Sequence, residues 1–207
     1  MNKPTAANLQ SLAAEVILPF YCIQREVPLH LRGLSYENDA EHSWSLALLA
    51  CALAPHVDTG LDIGKVAQYA TVHDLTELYA GDTSNFAADH KKASKEKREA
   101  KALHRLRSEL TAFPWIIDTL VSYEAQDTNE ALFVRSVDKI IPLLLDILDE
   151  GWLYHEKKMT FEEWEQHMRI PREKAARHSG AFVYYQLIWD ALTVHPEYFY
   201  KDMGPTK

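Results

Sequence analysis

His73 and Asp74 stand side by side in VAQYATVHDLTELYAGD, an otherwise largely apolar stretch. Burying an imidazole and a carboxylate without partners is costly, and a divalent cation is an economical partner for both. His42 upstream, in ENDAEHSWSLALLACALA, and Asp138 downstream, in VRSVDKIIPLLLDIL, are again polar ligand types on mostly apolar segments. An imidazole and carboxylate set without thiolate suits Mn, Co, Mg, Fe or Zn and does not choose among them. Residues three and four apart on a helix share a face, so Glu77 falls one turn beyond both His73 and Asp74. Gly81 ends that segment, and Asp82 follows in a turn from which a carboxylate can fold back toward the same cavity. Taken singly, each has an ordinary reading: His42 a satisfied core histidine, Asp138 a surface acid beside Lys139 or Arg135, Glu77 a solvated acid, Asp82 a turn former.

The elements that must position these residues read as helices. The chain has only seven glycines among 207 residues. Strand signals are weak everywhere, and long apolar patterns of period 3.6 predict an all-α protein. The predicted helices run from Ala6 to Phe20, Asp39 to Ala54, Leu61 to Ala80, Asp89 to Thr111, Pro114 to Ala125, Asn129 to Glu150, and Phe161 to Val194 with a break near Pro171. Pro28, Pro55, Gly81 and Pro196 punctuate them. The stretch HKKASKEKREAKALHRLRSEL is dense in charge, with Leu103, Leu106 and Leu110 as its apolar stripe. It reads as a solvated amphipathic helix, the alternative being a basic rim for an anionic substrate.

Composition narrows the class. With 47% hydrophobic and 25% charged residues, the 207-residue chain is ordinary globular protein, sized for one domain with a substantial core. A formal net charge of -8 argues against a binder of nucleic acid polymers, so an anionic ligand must meet local positive charge. Cys22 and Cys51 form no CxxC pair, which points to a reducing compartment with both thiols in the core. The N-terminal stretch lacks the pattern of a secretory signal, and no apolar run reaches the ~18 residues of a membrane span. A soluble, cytoplasmic protein without a membrane partner is the expectation. The tryptophans Trp44, Trp115, Trp152, Trp164 and Trp189 read as core or interface anchors, and the remaining histidines as structural or exposed.

The ordered set His42, His73-Asp74, Asp138 resembles the H...HD...D signature of the HD-domain metal-dependent phosphohydrolase superfamily, whose members are all-α. The segments AEHS, HDLTELYAGD and YEAQDTNEALFVRSVDKI are similar to its 5'-deoxynucleotidase branch. The similarity spans about Leu18 to Glu150. It implies a single HD-domain helical bundle over residues 1–207, with residues from about 151 to 207 as a C-terminal helical extension. It also implies one divalent ion held by His42, His73, Asp74 and Asp138, with Glu77 and Asp82 as catalytic acids. Arg25, in YCIQREVPLHLRG, matches the arginine that contacts the substrate phosphate, and Arg32 competes for that role. Bacterial members carry a tryptophan after this arginine, where Glu26 stands here. A homodimer is the implied assembly.

Hydrolysis of a phosphate monoester needs a nucleophile, neutralisation of charge on the phosphoryl oxygens, and a proton for the departing alkoxide. The set can supply all three, and the resemblance implies conversion of (deoxy)ribonucleoside 5'-monophosphates to nucleoside and phosphate. Hydrolysis of a signalling nucleotide is the enzymatic alternative. Such HD enzymes commonly place a second acid directly after the glutamate that follows HD, where Leu78 stands here. A non-catalytic metal or nucleotide-binding module is the third reading, and it would have no need of Glu77 and Asp82.

Overall fold

Thr5 opens the first helix with a reciprocal cap: its hydroxyl accepts from Asn8 N, and the Asn8 side chain accepts from Thr5 N. The computed structural model describes residues 3–29 and 33–201. Helix α1 (Ala6–Leu12) runs through a π turn (Ala13–Ile17) into α2 (Leu18–Phe20), as the periodicity predicts. Next come β1 (Gln24–Leu29) and β2 (Ser35–Asn38), paired as a two-stranded sheet in an otherwise helical structure. Strands of six and four residues, one containing Pro28, are too short for alternation to show in the sequence.

Helix α3 (Asp39–Val57) starts at a second reciprocal cap, between Asn38 and Glu41, and carries Pro55 in its last turn instead of stopping before it. Helix α4 (Ile63–Val72), capped by the Asp62 side chain, is followed by a tight turn and the short α5 (Glu77–Ala80). The continuous helix predicted from Leu61 to Ala80 is therefore corrected. His73 Nδ1 lies 2.9 Å from the Ala70 carbonyl, the acceptor that an unbroken helix would offer to residue 74. The backbone instead tightens through Leu75 N to Val72 O (3.0 Å) and Glu77 N to Asp74 O (2.8 Å).

Helices α6 (Asp89–Ala93) and α7 (Lys95–Glu109) divide the charged segment at Ser94, and α8 (Pro114–Ala125) keeps its predicted bounds, with Pro114 in its first turn. The helix predicted from Asn129 to Glu150 is two helices, α9 (Asn129–Asp138) and α10 (Ile140–Leu148). Pro142 has no N–H to offer the Asp138 carbonyl, so the chain steps at Lys139. Helix α11 (Trp152–Glu156) precedes α12 (Phe161–Ala175), which passes through Pro171 without the predicted break. Met168, Pro171 and Ala175 form one buried face that outweighs the lost hydrogen bond. The break lies instead before α13 (Ser179–Thr193), which is capped by His178 Nδ1 accepting from Ala181 N at 3.1 Å. A 3-10 turn follows at Pro196–Tyr198.

The chain forms two compact units, one reaching to Glu26 and running again from Glu37 to Val134, the other comprising Val27–Tyr36 and the chain from Arg135 onward. In the first, Val16, Phe20, Val72, Leu75, Leu106, Leu110, Ile117 and Leu120 form a buried cluster, and α3 packs along α4. Burying such a side chain contributes about 1.5–3 kcal/mol, so this cluster fixes the segments that flank the His-Asp dipeptide. In the second unit Tyr154, Trp164, Trp189 and Phe199 make an aromatic core, with ring centroids of Trp164 and Trp189 4.5 Å apart. Cys22 is exposed and Cys51 half-buried, which corrects the expectation of two core thiols: Cys22 sits in the turn after α2. Trp44 and Trp115 are exposed rather than core residues. Among the described residues, no helix is long and apolar enough to cross a membrane.

Candidate metal centre

The break between α4 and α5 decides how His73 is presented. A carbonyl can only accept a hydrogen bond, so the contact with Ala70 O places a proton on His73 Nδ1. In the neutral ring this leaves a lone pair on Nε2, 2.9 Å from Asp74 Oδ2. His42, on the first turns of α3, is fully buried, and its Nδ1 lies 3.2 Å from Glu37 Oε2 on β2. The Ala70 carbonyl on Nδ1 is the kind of contact that orients a metal-ligating imidazole with Nε2 outward, whereas His42 Nδ1 faces the Glu37 carboxylate. Their rings are 5.3 Å apart between centroids, and each offers a nitrogen within 4.8 Å of the other. Such a pair of imidazole lone pairs beside a carboxylate fits a divalent cation.

A second group of acids adjoins the dipeptide. Asp39, Asp74 and Glu77 each offer a carboxylate oxygen within 4.8 Å of the others. Asp39 and Glu77 are buried, and among the described residues Asp39 Oδ2 and Glu77 Oε2 have no hydrogen-bond partner. Burial and then the charge of Asp74 raise Glu77 to about 9, against the lowering effect of Lys95. Burial and Asp74 likewise raise Asp39 to about 7, although Arg25 opposes the shift. Asp82, half-buried in the irregular stretch after Gly81, adds its charge to the field on both. Gly81, at φ +70, adopts the left-handed backbone with which α5 ends.

Arg25 is the cation at the centre of these acids. From β1 its Nη1 reaches Asp74 Oδ2 at 2.9 Å and Asp39 Oδ1 at 3.3 Å, while Nε lies 3.3 Å from Glu37 Oε2. Burial opposes its charge, but Asp74, Asp82, Glu77 and Glu37 outweigh burial and raise its pKa, so it remains a guanidinium. A second cation enters from α7. Lys95 Nζ lies 3.4 Å from Glu77 Oε1 and 3.3 Å from Glu99 Oε1. One turn further, Arg98 donates to the carbonyls of Ala80 and Gly81 and, at 2.7 Å, to Thr83 Oγ1, holding the stretch that carries Asp82.

The structure thus places His42, His73, Asp74, Glu77 and Arg25 around one acidic site, with Asp82 contributing to its field. Asp138 is buried at the end of α9, with Oδ2 2.6 Å from Lys139 Nζ. Arg32, the competing arginine, lies outside the described residues, as does His30. Glu37, Asp39 and Lys95 were not singled out from sequence. Glu37 and Asp39 flank the helix cap Asn38, where acids are ordinary, and their meeting with Arg25 depends on the strand pair that the sequence did not reveal. Lys95 is one basic residue among many in its segment.

A helical protein with two opposed imidazoles and an acid-rich site beside them defines a metal-binding α-helical class. Residues 23–179 match the HD domain, and the chain belongs to that family. Among solved structures it is similar to a predicted metal-dependent phosphohydrolase from Magnetospirillum magnetotacticum MS-1, with 29% identity and a TM-score of 0.74 over 94% of this chain and 95% of that one. No curated protein matches the chain.

Proposed function

We propose that this protein is a metal-dependent phosphohydrolase acting on (deoxy)ribonucleoside 5'-monophosphates, which it converts to nucleoside and phosphate. The observation that carries the reading is the site's division of labour. His73 Nε2 and Asp74 Oδ2 lie 2.9 Å apart, beside them lies a buried acid, Glu77, with Oε2 facing Asp39 and Asp74, and Arg25 brings a guanidinium to the same carboxylate. Membership of the HD family and the likeness to a phosphohydrolase support the reaction class. The sequence resemblance to 5'-deoxynucleotidases supports the substrate.

His42, His73 and Asp74 would hold the divalent ion, with Asp138, by its place in the sequence order, as the fourth ligand. When bound, the ion supplies charge neutralisation to a phosphoryl oxygen and acidifies water. The remaining work belongs to the chain. Arg25 presents a planar donor fork to two phosphate oxygens, exchanging part of its contact with Asp74 and Asp39 for the substrate. Glu77 orients the attacking water through its open oxygen. Asp82, on the stretch held by Arg98, stands as the second acid, and it or Glu77 passes the proton released by the attacking water to the departing 5' oxygen.

The test is phosphate release from dAMP, dCMP, dGMP, dTMP, dUMP and their ribose counterparts with Mn, Co or Mg. Turnover of at least one of them, dependent on added metal, is expected. Silence with every substrate in metal-replete protein would overturn the proposal.

A further inference from the structure

Helix α5 is only four residues long and cannot hold its own orientation in water. Helix α7 grips it at both ends. Arg98 donates to the carbonyls of Ala80 and Gly81 at its C-terminal end, and Lys95 reaches Glu77 at its first residue. The Lys95 side chain is 38% exposed and bridges two acids, Glu77 Oε1 at 3.4 Å and Glu99 Oε1, one turn on, at 3.3 Å. The two oxygens of Glu77 are consequently unlike. Oε1 is anchored by a cation, whereas Oε2 is buried with no hydrogen-bond partner among the described residues, in the carboxylate group formed with Asp39 and Asp74.

We infer that Lys95 is a positioning residue for hydrolysis: tethered by Glu99, it anchors Glu77 Oε1 and so aims Oε2 at the water that attacks phosphorus. This role rests on the phosphohydrolase reading. A carboxylate that must take a proton from, or orient, a single water loses most of its value when it can swing between rotamers. An ammonium partner fixes one oxygen without occupying the other. Lys95 belongs to the segment that reads in sequence as a solvated helix or a basic rim. The contact with Glu77 turns it from the solvent toward the site.

The experiment compares the full-length metal-loaded protein with Lys95→Met, Lys95→Arg and Glu99→Gln, using dAMP or whichever monophosphate the wild type hydrolyses best. For Lys95→Met, kcat is expected to fall about 10- to 100-fold with KM within about twofold. Bound metal and melting temperature should match the wild type, and a crystal structure should show the Glu77 carboxylate in a changed or divided rotamer. Lys95→Arg should restore most of kcat, and Glu99→Gln should lower it in the same direction by less. A Lys95→Met protein with wild-type kcat overturns the inference while leaving the phosphohydrolase reading intact. A rise in KM at constant kcat also overturns it, since that result marks a phosphate contact, and so does loss of metal in step with activity. A wild type silent on every phosphate ester overturns both.

Discussion

Arg25 Nη1 lies 2.9 Å from Asp74 Oδ2. The same oxygen is 2.9 Å from His73 Nε2, so one carboxylate is shared by the His73 imidazole and by the proposed phosphate-binding guanidinium. Removing Arg25 strips positive charge from the site but no metal ligand. Arg25→Ala is therefore expected to bind divalent metal at least as tightly as the wild type. Its kcat/KM should fall about 10- to 100-fold, the usual worth of a hydrogen bond to a charged group. Metal titration by calorimetry alongside steady-state kinetics checks both, and metal affinity lost with Arg25 would count against a substrate role.

Glu77→Gln keeps the size of the side chain and its contact with Lys95 as a neutral acceptor, but removes the carboxylate. Retained metal with kcat down about 100-fold or more is expected if Glu77 orients or deprotonates the water. Metal analysis of the purified variant separates the roles, because metal lost in this variant would make Glu77 a ligand.

The histidines, the Asp74 carboxylate and Glu77 were legible in sequence because they are polar residues on apolar segments, a pattern that survives errors in element boundaries. The turn at His73 was not legible, since it arises when the His73 ring takes the Ala70 carbonyl from the helix. Nor was the meeting of Arg25 with Glu37 and Asp39, which depends on two short strands whose residues carry no periodic signal. Helix ends followed the local rules where a cap or proline acted alone, as at Pro114. They departed where burial outweighed it, as at Pro171.

Asp146 offers a stability test away from the metal site. It is buried in the second unit, where burial raises its pKa to about 7 despite the hydrogen bond donated by Tyr154 at 2.5 Å. The unfolded value is the ordinary carboxylate value of 3.8, so the native state binds more protons between those two values. Stability from this group is then fully present below about pH 4 and lost as pH rises through about 7. Melting curves between pH 5 and 8 should show a shallower fall for Asp146→Asn than for wild type, at about 2–4 °C for each kcal/mol of difference. Parallel curves would show that Asp146 does not titrate in this window.

Gly151 tests the packing of the second unit. It sits at φ +71, and a Cβ there would collide with the Tyr198 carbonyl oxygen. Gly151→Ala must both strain the left-handed backbone and displace a main-chain oxygen, which is expected to cost about 1–3 kcal/mol. Thermal melting of the metal-loaded protein reads this directly, and an unchanged melting temperature would contradict the close approach. In the first unit, Leu106→Ala should cost about 2–5 kcal/mol by opening a cavity in the cluster behind the His-Asp turn.

The most direct measurement of a metal-dependent phosphohydrolase is phosphate release from nucleoside 5'-monophosphates by chelator-stripped protein, titrated with Mn, Co or Mg beside Asp74→Ala. Release that rises with metal occupancy in the wild type, together with lost metal and lost turnover in Asp74→Ala, is the predicted result. Full turnover by the stripped protein, or undiminished turnover by Asp74→Ala, would contradict it.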